Sequence, residues 1–228
     1  AEALYESWRV TDDTRYLAWG LRTLDELSMA QQVWQPPFIY VPALGGFGVM
    51  NTDGEWNDSR QSLFAELFLR YYEATGDAHL FERGVAALKS SFVMMYAPEN
   101  PMAKEQWELA HPFFGPEDYG FTMENYGHGG TTSPEGVGIG VFTIYDWGNG
   151  AASEAYNRVT DHFGQVYLDR PRGQGFGIDS VAVELTDSGF ALTDLAPDGE
   201  PRDVRVVFED GSDRTVTLDG PNGVLVTP

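Results

Sequence analysis

Cysteine is absent from this 228-residue chain, which excludes disulfides, thiolate metal sites and a cysteine nucleophile. Lysine is nearly absent too, with Lys89 and Lys104 the only two. No stretch approaches the about 20 consecutive apolar residues of a membrane helix, so a soluble chain with no membrane partner is expected. The first residues carry no basic patch followed by an apolar run, so no signal peptide stands here. Export from a bacterial cell, to the periplasm or beyond, is expected with a leader removed ahead of Ala1. No phosphate loop, dinucleotide fingerprint or serine nucleophile elbow is found, and no cofactor is expected.

Acid is what the chain has in excess. Thirty-five Asp and Glu face 14 Lys and Arg, for a net charge of −21. Such a charge repels phosphate backbones and argues against a nucleic-acid partner. The acids are scattered along the chain, as on a solvated surface around a folded core. An acid-rich, lysine-poor surface suits salty surroundings, so a marine or halophilic bacterium is the expected source.

The strongest pattern is an internal repeat at an offset of 64 residues. Thr11, Asp13, Leu17, Gly20, Leu21 and Leu24 align with Thr75, Asp77, Phe81, Gly84, Val85 and Leu88. Each copy reads as an aromatic-rich helix end, a Thr-x-Asp turn and a second amphipathic helix. Leu63, Phe64, Leu67, Phe68 and Tyr71 mark one apolar face at helical spacing, with Asp58 and Gln61 as a capping box ahead of them. A third unit is expected from Ser133-Pro134-Glu135, with a helix to about Trp147, a turn at Gly148-Asn149-Gly150 and a helix ending near Phe163. A generic helical bundle is the plainer reading of the same pattern.

The segment Tyr72-Glu73-Ala74-Thr75-Gly76-Asp77 resembles the inter-helix turn of the (α/α) toroids, rings of helical hairpins shared by many glycoside hydrolases and polysaccharide lyases. The likeness covers roughly residues 1–164, is architectural, and singles out no member. It implies a mainly α fold with a β tail: an incomplete (α/α) hairpin toroid over 1–164, then a small antiparallel β-sheet or sandwich over 165–228. Because Trp8 aligns with Tyr72, residues 1–8 match the end of a hairpin's first helix. An upstream segment or chain completing the ring is therefore expected as a partner. In the tail, Val181–Leu185 pairs across Ser188-Gly189 with Phe190–Leu195, and Val204–Phe208 pairs across Asp210-Gly211 with Thr215–Leu218. A last strand is read at Val224–Val226.

Two long loops rich in glycine, aromatics and polar groups are the candidate site, since compact domains rarely keep such loops without use. The first runs from Leu44 to Asp58 and leads into Arg60; Trp56, Asn57 and Arg60 are its candidate substrate-binding residues. The second runs from Pro98 to Thr132 and holds Tyr119, Glu124, Asn125, Tyr126 and His128. His128, set among glycines, can serve as base or acid near neutral pH, and Tyr126 can protonate a leaving oxygen. Asn125 can hydrogen-bond a uronate carboxylate, and Tyr119 and Trp56 can stack on sugar rings.

Asn, His and Tyr in these roles resemble the β-elimination sites of toroid polysaccharide lyases. The reading that follows is a uronate-directed lyase acting on a polysaccharide, with Glu124 as a further catalytic candidate. One alternative is a glycoside hydrolase using Glu124 with Asp118 or Asp58, which needs two carboxyls about 5–9.5 Å apart. Another is a non-catalytic glycan-binding or assembly subunit. No metal site is expected: Asn51-x-Asp53-Gly-Glu55-x-Asn57-Asp58 lacks the spacing of a calcium-binding loop. His79, His111 and His162 read as surface or packing residues.

Overall fold

The computed structural model describes residues 1–34, 42, 44–47, 64–93, 95–122, 146–196, 199–220 and 223–227. It divides into two compact units, Ala1–Tyr156 and Asn157–Pro228.

In the first unit the repeat is real down to its hydrogen bonds. Helices α1 (Glu2–Thr11) and α2 (Thr14–Ser28) form one hairpin, and α3 (Ala65–Thr75) and α4 (Ala78–Ser90) form the other. Thr11 and Thr75 each donate from Oγ1 to the carbonyl four residues back, Ser7 and Tyr71. Each of these hydroxyls then accepts from the N–H of the aspartate two residues on. Those aspartates, Asp13 and Asp77, cap the second helices by accepting from the N–H of Arg15 and His79. Between them the chain turns through a left-handed residue, Gly76 in one copy and Asp12 in the other. Glycine meets no steric penalty there, and aspartate is among the few other residues that tolerate it.

The aligned glycines explain why the hairpins pack closely. A side chain on Gly20 would overlap the Tyr71 ring, and one on Gly84 would overlap Leu69 and the Ala65 carbonyl. Phe68, Tyr71, Tyr72, Phe81 and Leu88 fill the buried core around them. The Tyr72 and Phe81 rings meet edge to face at 5.1 Å.

Helix α5 (Pro101–Ala110) lies where the sequence suggested open loop. Its proline takes the first helical position, where its missing N–H costs nothing. Asn100 ahead of it does not cap the helix, because its amide donates instead to the Val93 carbonyl at 2.6 Å. Helix α6 (Asp146–Phe163) runs without a break through Gly148-Asn149-Gly150, where a turn was expected.

The second unit holds the end of α6 and seven strands: β1 (Val166–Asp169), β2 (Gln174–Gly177), β3 (Val181–Thr186), β4 (Gly189–Asp194), β5 (Arg202–Phe208), β6 (Asp213–Leu218) and β7 (Val224–Val226). One sheet has the order β2-β1-β5-β6 and the other β3-β4-β7. Val166, Leu168, Phe190, Leu192, Val204, Val206 and Leu218 form the core they share. Arg205 ties the C-terminal end of α6 to β5 by donating to the Thr160 and Asp161 carbonyls at 3.2 and 2.9 Å, a favourable place for a cation.

These features overturn the expected fold class. A mainly α, incomplete toroid with a purely antiparallel tail is not what forms. Helices take 45% and strands 24% of the described residues, so the protein is mixed helix and sheet. Two hairpins stand among the described residues; of the expected third, the turn at Gly148-Asn149-Gly150 is helical within α6, and the start at Ser133-Pro134-Glu135 lies outside the described residues. In the tail β1 runs parallel to β5, with Val166 opposite Val206 and Leu168 opposite Phe208. The glycine-rich sequence of β2 carries no alternating apolar face by which a strand would be recognised.

Candidate functional site

Of the candidate site residues singled out in the sequence, Tyr119 and Asp118 fall within the described part. Trp56, Asn57, Arg60, Glu124, Asn125, Tyr126 and His128 lie outside the described residues, as do Asp53, Asp58 and Gln61. What is described is the approach to each loop: residues 44–47 of the first, and residues up to Thr122 of the second.

The second approach is an aromatic shelf. Helix α5 ends at Ala110, and the chain then folds back through a short 3-10 turn at Pro116–Asp118. Asp118 closes that turn by accepting from the Gly115 N–H at 3.0 Å. The segment is pinned by a backbone pair, Tyr96 N–H to the Phe121 carbonyl at 2.7 Å and Gly120 N–H to the Tyr96 carbonyl at 2.9 Å. Phe114 is the hub of the shelf, with Tyr96, Trp107, His111, Phe113 and Phe121 all 5.3–5.6 Å from its ring centre. Trp107 lies almost parallel to it, at 9°. His111 is buried in the stack and thus is a packing residue, as read from the sequence.

Two rings remain open to solvent on this support: Phe113 is 73% exposed and Tyr119 39%. Tyr119 leans on Tyr96, with ring centres 5.1 Å apart. Tyr96 itself is buried and donates its hydroxyl to Glu108 at 2.9 Å, while Lys104 donates to the same oxygen at 2.6 Å. Burial, helped by the Glu108 carboxylate, pushes the Tyr96 hydroxyl up to about 12, so it stays protonated as a fixed donor. Hydrogen bonds from Lys104 and then Tyr96 hold Glu108 below the usual carboxylate range. Thr122, the last described residue before the second candidate segment, is buried, and its hydroxyl has no hydrogen-bond partner among the described residues.

The first approach forms one wall of a cleft of about 800 Å³ between the end of α2 and helix α4. Gln32 and Gly45 exchange backbone hydrogen bonds with the facing segment: Gln32 N–H to the Gly46 carbonyl at 2.7 Å, and Gly45 N–H to the Gln32 carbonyl at 2.8 Å. Gly45 has a φ of +87°, and a side chain there would strike the Ala86 backbone at 2.5 Å. Gln31, 6% exposed, donates its amide to the carbonyls of Gly45 and Arg83, both at 3.0 Å. Its side-chain oxygen accepts from Arg83 Nη1 at 3.0 Å. Across the cleft, His79 Nδ1 lies 3.2 Å from Glu82.

Sequence reasoning missed both Phe113 and Arg83. The signal for the shelf was the Trp107-x-x-x-His111 spacing on one helical face, followed by Phe113-Phe114. For Arg83 there was none, since its partner lies 52 residues away. Among the described residues no group of three or more His, Asp or Glu could hold a metal ion, and no helix is long and apolar enough to cross a membrane. No family model matches the chain, and comparison with curated proteins and with solved structures finds no match.

Proposed function

We propose that this protein binds and breaks down a polysaccharide, by β-elimination beside a uronate carboxylate. The observation that carries the reading is the aromatic shelf. Two solvent-open rings, Phe113 and Tyr119, rest on a ring stack in which Tyr96, Trp107 and His111 are buried and Phe114 is half-buried. Flat aromatic faces held open to water suit the C–H faces of pyranose rings, and a fully packed core would leave no such faces. The shelf runs in sequence into Glu124 and then into Asn125, Tyr126 and His128, the three residue types elimination uses. Asn125 hydrogen-bonds the uronate carboxylate, His128 removes the carbon-bound proton next to it, and Tyr126 protonates the departing glycosidic oxygen. A polymeric substrate places the protein outside the cytoplasm.

Incubation of the full chain with alginate, pectate and glucuronan tests the chemistry. Elimination yields an unsaturated uronate that absorbs in the near ultraviolet, and consumes no water. His128→Ala and Tyr126→Phe then each cost about two to four orders of magnitude in rate. Saturated products lost on Glu124→Gln point to hydrolysis instead and overturn elimination. Because the shelf is a binding feature, it also favours a second reading, a non-catalytic glycan-binding subunit. Binding that depends on Phe113, with no cleavage of any of these polymers, selects that one.

A further inference from the structure

An acidic protein that recruits an acidic glycan needs a fixed cation where the two meet. Eight of the described arginines are in ion pairs with carboxylates, as expected where acids outnumber bases. Arg83 is different. The Arg83 side chain donates to Gln31, a neutral amide. Both donors of that amide are used by backbone carbonyls, and its oxygen accepts from Arg83. Gln31 therefore holds the guanidinium in place without cancelling its charge. A guanidinium has five N–H donors, and this bond uses one.

Arg83 lines the 800 Å³ cleft, a volume within the range of small-ligand sites, which is about 300–1,000 Å³. Three carboxylates also line it, and two have local partners. Glu82 faces His79 at 3.2 Å, and Asp77 caps the start of α4, where the helix dipole favours negative charge. Asp25 is the third, suited to accept from sugar hydroxyls. Met29, Leu44 and Leu80 add apolar surface for a ring face.

We infer that this cleft binds a uronate ring, with Arg83 as the anchor for its carboxylate. A planar guanidinium matches a carboxylate by two parallel hydrogen bonds, which a lysine ammonium cannot reproduce. The sugar part of this inference rests on the polysaccharide reading above; the carboxylate part rests on the Arg83–Gln31 geometry alone.

The test is an NMR titration of the full chain with D-glucuronate, D-galacturonate and D-mannuronate, each against its neutral parent hexose. At least one acid should bind about tenfold or more tightly than its parent, the usual scale for a charged hydrogen-bonded pair. Arg83→Gln should bring acid and parent level, while Arg83→Lys keeps part of the preference; a thermal melt of each variant checks that it is folded. Equal affinity in the unaltered protein, no binding of any of the acids, or a preference untouched by Arg83→Gln overturns the inference. A polymer titration separates the two readings. A polyuronate that is bound through Phe113 and cleaved equally well by Arg83→Gln leaves the polysaccharide reading standing and removes the cleft. A preference that depends on Arg83, with no polymer bound, keeps the cleft and removes the polysaccharide reading.

Discussion

The Tyr71 ring occupies the space that any side chain on Gly20 would need, and its hydroxyl donates to the Ala1 carbonyl at 2.9 Å. One glycine thus lets the second hairpin reach across α2 to the start of α1. Burial also pushes the Tyr71 hydroxyl up to about 12, so it remains a donor at any ordinary pH.

Gly20→Ala should therefore destabilise the first unit by about 1–3 kcal/mol, the usual cost of overpacking. In a Tyr71→Phe background the penalty should shrink, because the overlapping hydroxyl is gone. A double-mutant cycle from urea midpoints measures the coupling, and strict additivity would disprove this account of the contact.

The shelf separates support from use. Trp107→Ala removes a fully buried ring and should cost about 3–5 kcal/mol. Phe113→Ala removes an exposed one and should change stability by less than about 0.5 kcal/mol, while weakening retention on a polysaccharide affinity gel. Unchanged retention would remove Phe113 from the binding face.

The second unit should weaken in acid. Hydrogen bonds from Ser212, and then from Arg170, hold Asp210 down at about 2. Arg202 lowers Asp194, and Arg170 lowers Glu209. Depressed carboxylates stabilise the fold fully above their ordinary values, 3.8 for Asp and 4.5 for Glu, and lose that contribution as pH falls through the folded values. The urea midpoint of the β unit should hold down to about pH 4.5 and then fall steadily toward pH 2. Asp194→Asn should flatten part of that fall, and an unchanged profile would exclude the Arg202 pair as a cause.

Salt should help a polyuronate substrate. The chain carries −21, so encounter with a polyanion is opposed by long-range repulsion, which salt screens beyond about 8–10 Å at physiological strength. The apparent KM for a polyuronate should fall as salt is raised from low concentration, with little change for a neutral glycan. A KM that rises from the lowest salt upward would mean that attraction dominates the encounter.

What the sequence by itself determined lies in contacts between residues close along the chain. The two Thr-x-Asp turns close through bonds spanning two to four residues, so a repeated motif was enough to place both hairpins. The β3–β4 and β5–β6 hairpins were equally legible, because short turns bring neighbouring strands together. Helix α5 had its proline signal but was read as loop, and only folding showed Asn100 engaged with Val93 in place of the cap.

Tertiary structure decided the rest, because burial selects partners that local chemistry cannot specify. The breaker residues Gly148-Asn149-Gly150 stayed helical against their own propensity. Strand β1 found β5 some forty residues on, and the parallel pair buried Val166 and Val206 in one core. Gln31 reached Arg83 across 52 residues, holding a guanidinium at a cleft that no sequence spacing marks.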